Sequence, residues 1–192
     1  LHVRQADLCV RVPSPETFLD VTTIVQIALA YEVDAVHPGY GFLAESATFV
    51  QKLTEAGITF IGPPAEVITA VRAKVKVLDA VRAAGFPTVT HTGDCLDVHD
   101  LPTIQANAAR LGYPVVIKSC RGGRGRGERL VHKPEQMETA VQRASAESRA
   151  VFGNGHIYLE RAMLPAHQIG VQLLGDRHGH LIHLGEREGS II

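Results

Sequence analysis

The chain has 192 residues, enough for one domain or two small ones with a sizeable core. Apolar residues make up 45 %, and 19 basic against 20 acidic side chains leave a net charge of -1, which argues against a general binder of nucleic acid or anionic membranes. The 3 cysteines are scattered without metal-ligand spacing and read as reduced thiols of a cytoplasmic protein; no apolar run reaches the roughly 18 residues of a membrane span.

In chain order, Asp20 is placed to cap a helix carrying Ile24, Ile27, Ala28 and Tyr31 on one face. Ala35-Val36-His37 reads as a short buried strand, closed by a glycine-punctuated turn, Pro38-Gly39-Tyr40-Gly41. Ser46 is a second cap, for a helix with Phe49, Val50 and Leu53 inward and Gly57 as its stop. Ile58 to Ile61 is a further buried strand, and the alternation implies a parallel sheet covered by helices. Gly62-Pro63-Pro64 breaks the pattern and marks a boundary. Two helices follow, from Ala65 and from Ala73, the second ending at Gly85 with Val75, Leu78 and Val81 as its stripe.

Phe86 to Asp97 is a polar connection with a short strand. A helix opens at Asp100-Leu101-Pro102 and ends at Gly112. Pro114 to Lys118 is a β-rich strand, Arg129 to His132 its return, and Pro134 opens a helix with Met137, Ala140, Val141 and Ala144 inward. Strand His156 to Glu160 precedes a hairpin, Gln168 to Leu174 and His180 to Leu184, turning at Asp176-Arg177-His178-Gly179. The chain starts at Leu1 and stops in an apparent strand at Ile192, so both ends read as cut from a longer protein.

Chemistry concentrates between Lys118 and Arg129. Every residue from Gly122 to Gly127 is Gly or Arg. Glycines let successive N–H groups approach phosphate oxygens, and arginines add bidentate donors. The loop reads either as a clamp for a small polyphosphate or as a solvated hairpin tip; it lacks the Gly-Lys-Ser/Thr ending of a Walker loop. Lys118 leaves a buried strand and needs an anion or water, since an unpaired buried cation is costly; a nucleotide phosphate and ordinary snorkelling both satisfy it. Lys74, between Arg72 and Lys76, reads first as a solvated helix face. Glu160-Arg161-Ala162-Met163 ends a strand and is either a charged terminus or a hinge that reads a purine edge, with Met163 packing on the ring. His37 and the group His167, His178, His180 and His183 lack zinc-site spacing, and no Ser/His/Asp nucleophile elbow is present.

Taken together, His37-Pro38-Gly39-Tyr40-Gly41-Phe42-Leu43-Ala44-Glu45, Phe60-Ile61-Gly62-Pro63, Tyr113 to Lys118, the glycine loop, Tyr158-Leu159-Glu160-Arg161 and Leu184-Gly185-Glu186-Arg187 resemble the biotin carboxylase family of ATP-grasp enzymes, in order and along essentially the whole chain. The resemblance implies an α/β fold: part of an N-terminal parallel-sheet domain at 1–62, a helical connection at 63–89, an ATP-grasp lid at 90–162, and the start of the C-terminal ATP-grasp part at 163–192. It implies that ATP activates bicarbonate as carboxyphosphate and that the carboxyl group passes to biotin on a carrier protein. Carried over, Lys74, Lys118, Arg124 and Gly125 face ATP phosphates; Glu160, Arg161 and Met163 hold the adenine; and His37, Gly39, Tyr40 and Gly41 form an active-site loop. Catalytic residues and Mg2+ ligands are expected beyond residue 192, so no metal site is expected within this chain, which alone is expected to be inactive. A biotin carboxyl carrier protein or domain, a carboxyltransferase and a second copy of the whole protein are the implied partners, with no nucleic acid or membrane.

The chain departs from the family pattern at several points. Arg121 and Arg124 replace loop glycines, Gln168 and Gly170 stand where the family has His and Glu, and Ile192 stands where it usually has Gln. These leave two alternatives: another ATP-grasp carboxylate ligase, or a non-catalytic nucleotide-binding homologue.

Overall fold

The computed structural model describes residues 2–121, 125 and 127–190. It divides into two compact units. One takes in the described residues up to Thr88 with Cys120 and Arg121; the other takes in Val89–Ser119 and the described residues from Gly125 onward.

The first unit runs through a short helix α1 (His2–Gln5), helix α2 (Val21–Ala30), strand β1 (Ala35–Val36), helix α3 (Ala47–Glu55), strand β2 (Thr59–Phe60), and helices α4 (Ala65–Val71) and α5 (Lys74–Ala83). Both expected caps form: Asp20 accepts from the Thr22 N–H at 3.0 Å and Ser46 from the Phe49 N–H at 3.2 Å. β1 and β2 pair in parallel, Ala35 opposite Thr59 and Val36 opposite Phe60. The core joins Val25 and Ala28 of α2 to Phe49 and Leu53 of α3 and to Ile58. Phe49 meets Phe60 edge-on, ring centroids 6.1 Å apart. The two strands are shorter and less buried than the sequence suggests. Ala35 and His37 are exposed, and Ile61 lies open after the last paired residue. Among the described residues only these two strands form the sheet. Two 3-10 turns, Pro15–Leu19 and Phe42–Glu45, carry no periodicity that a sequence reading detects.

The second unit is built on strand β3 (Val115–Ser119). Strands β4 (Arg129–Val131) and β5 (Ile157–Arg161) flank it, both antiparallel. Helices α6 (Leu101–Leu111) and α7 (Met137–Phe152) supply Ile104, Ala108, Met137, Val141 and Ala144 to a core that receives Val115, Ile117, Val131, Ile157 and Leu159 from the sheet. Asp100 caps α6 by accepting from the Thr103 N–H, and Gly153 ends α7 at φ 68°. Pro134 does not open α7 directly. Its first turn is a 3-10 segment, Pro134–Gln136, tied down because Gln136 Oε1 accepts from the N–H groups of His132 and Lys133. The expected strand before α6 reduces to two bridges along β5, His91 to Glu160 and Leu96 to Ile157.

Strands β6 (Ile169–Gly175) and β7 (Leu181–Glu188) form the expected hairpin, with a register shift between Val171 and Leu173. Asp176 holds its turn by accepting from the His178 and His180 N–H groups. Ile169, Val171, Leu173 and Leu174 on one strand, and Leu181, Ile182 and Leu184 on the other, are all exposed. Cys95 and Cys120 are disulfide-bonded and Cys9 is free, which corrects the expectation of reduced thiols. Pairing depends on Cα separation after folding, and scattered sequence positions carry no signal of it.

Replacing fully buried Ile117 with Ala, at the centre of β3, is expected to destabilise the second unit by about 2–5 kcal/mol in urea unfolding.

Candidate functional site

Alternation along β3 separates two faces. Val115, Ile117 and Ser119 are fully buried in the core, whereas Val116 and Lys118 point to the other side of the sheet. The register fixes what shares that second face. Lys118 lies directly opposite Tyr158, and Val116 opposite Glu160. Glu160 is in turn bridged on its far side to His91. A cation, a phenol and a carboxylate from two neighbouring strands therefore meet at the base of the glycine loop.

Their geometry is tight. Lys118 Nζ lies 3.0 Å from Glu160 Oε2 and 3.9 Å from Glu128 Oε1, on the return leg of the loop. Tyr158 donates its hydroxyl proton to the other oxygen of Glu160, Oε1, at 2.8 Å. Tyr158 is only 2 % exposed and Glu160 8 %. Burial, and then the negative charge of Glu160, push the Tyr158 phenol well above its ordinary value, so it remains a donor. Two carboxylates thus converge on one lysine.

The loop is anchored behind this cluster. The Glu128 N–H donates to the Gly125 carbonyl at 3.2 Å, and Arg129 Nη2 pairs with Glu147 of α7 at 2.7 Å. Gly127 has φ +74°, and a Cβ there would sit 3.2 Å from the Ala144 carbonyl oxygen. Ser119 and Ser148 share a hydrogen bond of 2.6 Å beside it, and Ser148 is also 2.6 Å from the Asn154 carbonyl oxygen. Gly127 is where the backbone passes close to α7, and only glycine fits that conformation without strain. Gly125, φ +71°, belongs to the described residues, whereas Arg124 and Ile192 lie outside them.

The other predicted residues fall as follows. Arg161 and Met163 are exposed at and beyond the end of β5, Met163 at 67 %. Lys74 is the first residue of α5, and Lys76 lies in the same turn, which has no acidic residue. A helix N-terminus carries partial positive charge, so cations there gain nothing from the helix itself. In the first unit, His37 Nδ1 accepts from the Gly39 N–H at 3.1 Å. Gly39 and Gly41 have φ 76° and 70°, and Gly41 (ψ -165°) occupies a region open essentially to glycine alone. Tyr40 is 84 % exposed. Gln168 accepts from the Gly189 N–H through its carbonyl, and its own N–H donates to Ser190 Oγ; Gly170 pairs with Arg187 across the hairpin. Among the described residues no group of three or more His, Cys, Asp or Glu side chains is placed to hold a metal ion. Tyr158 enters the sequence reading only as part of the Tyr158–Arg161 segment, with no role of its own, and Glu128 is not singled out. The i, i+2 spacing of Tyr158 and Glu160 puts them on one face, but their meeting with Lys118 depends on cross-strand register.

Two family models divide the chain: one described as the biotin carboxylase N-terminal domain matches residues 1–68, and one described as the carbamoyl-phosphate synthase L chain ATP-binding domain matches residues 73–192. The biotin carboxylase of Pseudomonas aeruginosa is 39 % identical over 100 % of this chain and 43 % of its own length. The chain belongs to the biotin carboxylase family. The mitochondrial methylcrotonoyl-CoA carboxylase subunit alpha of Oryza sativa is 40 % identical over 100 % of this chain and 26 % of its own length. The solved Campylobacter jejuni biotin carboxylase β-γ-ATP complex superposes with a TM-score of 0.89 at 34 % identity, covering 98 % of this chain and 42 % of that one. The biotin carboxylase domain dimer of the Hydrogenobacter thermophilus 2-oxoglutarate carboxylase, solved with MgADP, ADP and bicarbonate, gives 0.88 at 38 % identity, covering 97 % and 41 %. Biotin carboxylases are ATP-dependent ligases, and the described architecture is an N-terminal α/β part followed by a partial ATP-grasp region. The chain spans about two fifths of the length of the bacterial biotin carboxylases it matches. No helix among the described residues is long and apolar enough to cross a membrane.

The raised Tyr158 phenol has a pH consequence. Because the folded state holds this proton more tightly, its contribution is present below the ordinary phenol value of about 10 and is lost as pH rises above it. Urea unfolding across that range is expected to show the native chain losing stability relative to Tyr158→Phe; parallel curves would contradict it.

Proposed function

We propose that this chain is the ATP-binding part of a biotin carboxylase that activates bicarbonate with ATP and transfers the carboxyl group to carrier-bound biotin. The observation that carries the reading is Lys118, aimed from a core strand to the base of the glycine loop and held there by Glu160. The family membership supplies the class of reaction. In this reading residues 1–62 are the later part of the N-terminal domain, 63–89 a connection, 90–162 the lid and 163–192 the start of the C-terminal part.

Lys118 meets an ATP phosphate after exchanging part of its carboxylate contact for it. Lys74, at the first turn of α5, offers a second cation at a helix N-terminus, whose partial positive charge suits anions. The loop at Arg124 and Gly125 closes over the phosphates and keeps water from the activated acid. The backbone of Glu160 and Arg161 and the exposed side chain of Met163 hold the adenine. His37, Gly39, Tyr40 and Gly41 form a loop whose glycines fix an unusual backbone path beside the active site. When bound, Mg2+ offsets phosphate charge; its carboxylate ligands, and the catalytic residues, are assigned to parts of the whole protein outside these 192 residues. A biotin carboxyl carrier protein or domain, a carboxyltransferase and a second copy of the whole protein are the proposed partners, in the cytoplasm. The isolated chain is proposed to be inactive.

The test is phosphate release from ATP by the whole protein that carries this chain, with free biotin, with and without bicarbonate. Bicarbonate-dependent release with formation of carboxybiotin is the expected result. Nucleotide binding without bicarbonate dependence would favour a different ATP-grasp ligase or, given Gln168 and Gly170, a non-catalytic homologue. Lys118→Met is expected to weaken ATP binding by about tenfold or more, the scale of one charge-assisted contact.

A further inference from the structure

We propose that Tyr158 is a positioning residue for nucleotide binding: by fixing one oxygen of Glu160, it decides where Lys118 presents its charge. The inference rests on the reading of Lys118 as a nucleotide ligand.

Lys118 has two carboxylates within reach, and they differ in rigidity. Glu128 lies on the return leg of the loop, with its side chain 35 % exposed and 3.9 Å from Nζ. Glu160 lies within β5, with its side chain 10 % exposed and 3.0 Å from Nζ. A carboxylate held by a lysine alone still rotates about its last side-chain bonds. Glu160 does not, because its second oxygen is occupied by the Tyr158 hydroxyl at 2.8 Å. Tyr158 is a suitable clamp. Its ring is almost fully buried, its backbone is paired directly opposite Lys118, and its phenol stays protonated well past neutral pH. A planar carboxylate held at both oxygens leaves Nζ one favoured approach. The lysine is then anchored to the sheet through Glu160, 3.0 Å away and paired opposite Val116, rather than to Glu128 outside the sheet at 3.9 Å.

Removing the hydroxyl leaves Glu160 free to turn and lets Lys118 divide its time between the two carboxylates. Loss of positioning should therefore appear only where Lys118 is present to be positioned. The experiment is a double-mutant cycle on the whole protein that carries this chain, reading ADP affinity by calorimetry, with thermal unfolding as the control for folding. Tyr158→Phe is expected to weaken ADP binding by about tenfold, the scale of a hydrogen bond to a charged group. In a Lys118→Met background the same change should weaken it by less than about twofold, because contacting residues are not additive. Equal weakening in both backgrounds, or none in the native one, overturns the role of Tyr158. If Lys118→Met itself leaves ADP affinity unchanged, the nucleotide reading of Lys118 falls, and the inference with it. Should Tyr158→Phe fail to fold, Glu160→Gln replaces it: a neutral amide cannot pair with Lys118 as a carboxylate does, so it must weaken ADP binding in the native background and not in Lys118→Met.

Discussion

Strand β3 is the constraint on which the second unit depends. Five residues do two jobs on alternate faces. Val115, Ile117 and Ser119 close the core beneath α6 and α7, while Val116 and Lys118 belong to the sheet's other face. Because the side-chain period of a strand is two, these jobs cannot be uncoupled. A one-residue slip in β3 would bring Lys118 into the core and turn Ile117 outward. The hydrophobic burial that stabilises the unit is therefore also what aims its lysine, and the strands on either side deliver Glu160 and Glu128 to it without further adjustment.

Among the described residues, one lysine faces two carboxylates, and the neighbouring phenol stays neutral. A buried ion pair of this kind is weak evidence for stability, since desolvation offsets much of the attraction. Within it the cation is held in one direction, 3.0 Å from Glu160 Oε2.

Much of this was legible before any coordinates. The caps at Asp20 and Ser46, the helix opening at Asp100, the strand into Lys118 and the hairpin around Asp176 all follow from local chemistry and appear where that chemistry puts them. What the sequence hid depends on non-local pairing. Tyr158 looks like an ordinary β-rich residue until register sets it against Lys118. Glu128 looks like the end of a polar loop until β4 folds back. The disulfide-bonded state of Cys95 and Cys120 likewise depends on where the chain brings the sulfurs. The 3-10 turns at Pro15–Leu19 and Phe42–Glu45 escaped because a single tight turn leaves no periodic trace.

The hairpin of β6 and β7 has a practical consequence. It is a ribbon of two strands with apolar side chains on show along both, and such a ribbon is only marginally stable in water unaided. In a test tube holding these 192 residues alone, it is the stretch that would glue copies together as concentration rises, so light scattering would report on it before any assay of chemistry does.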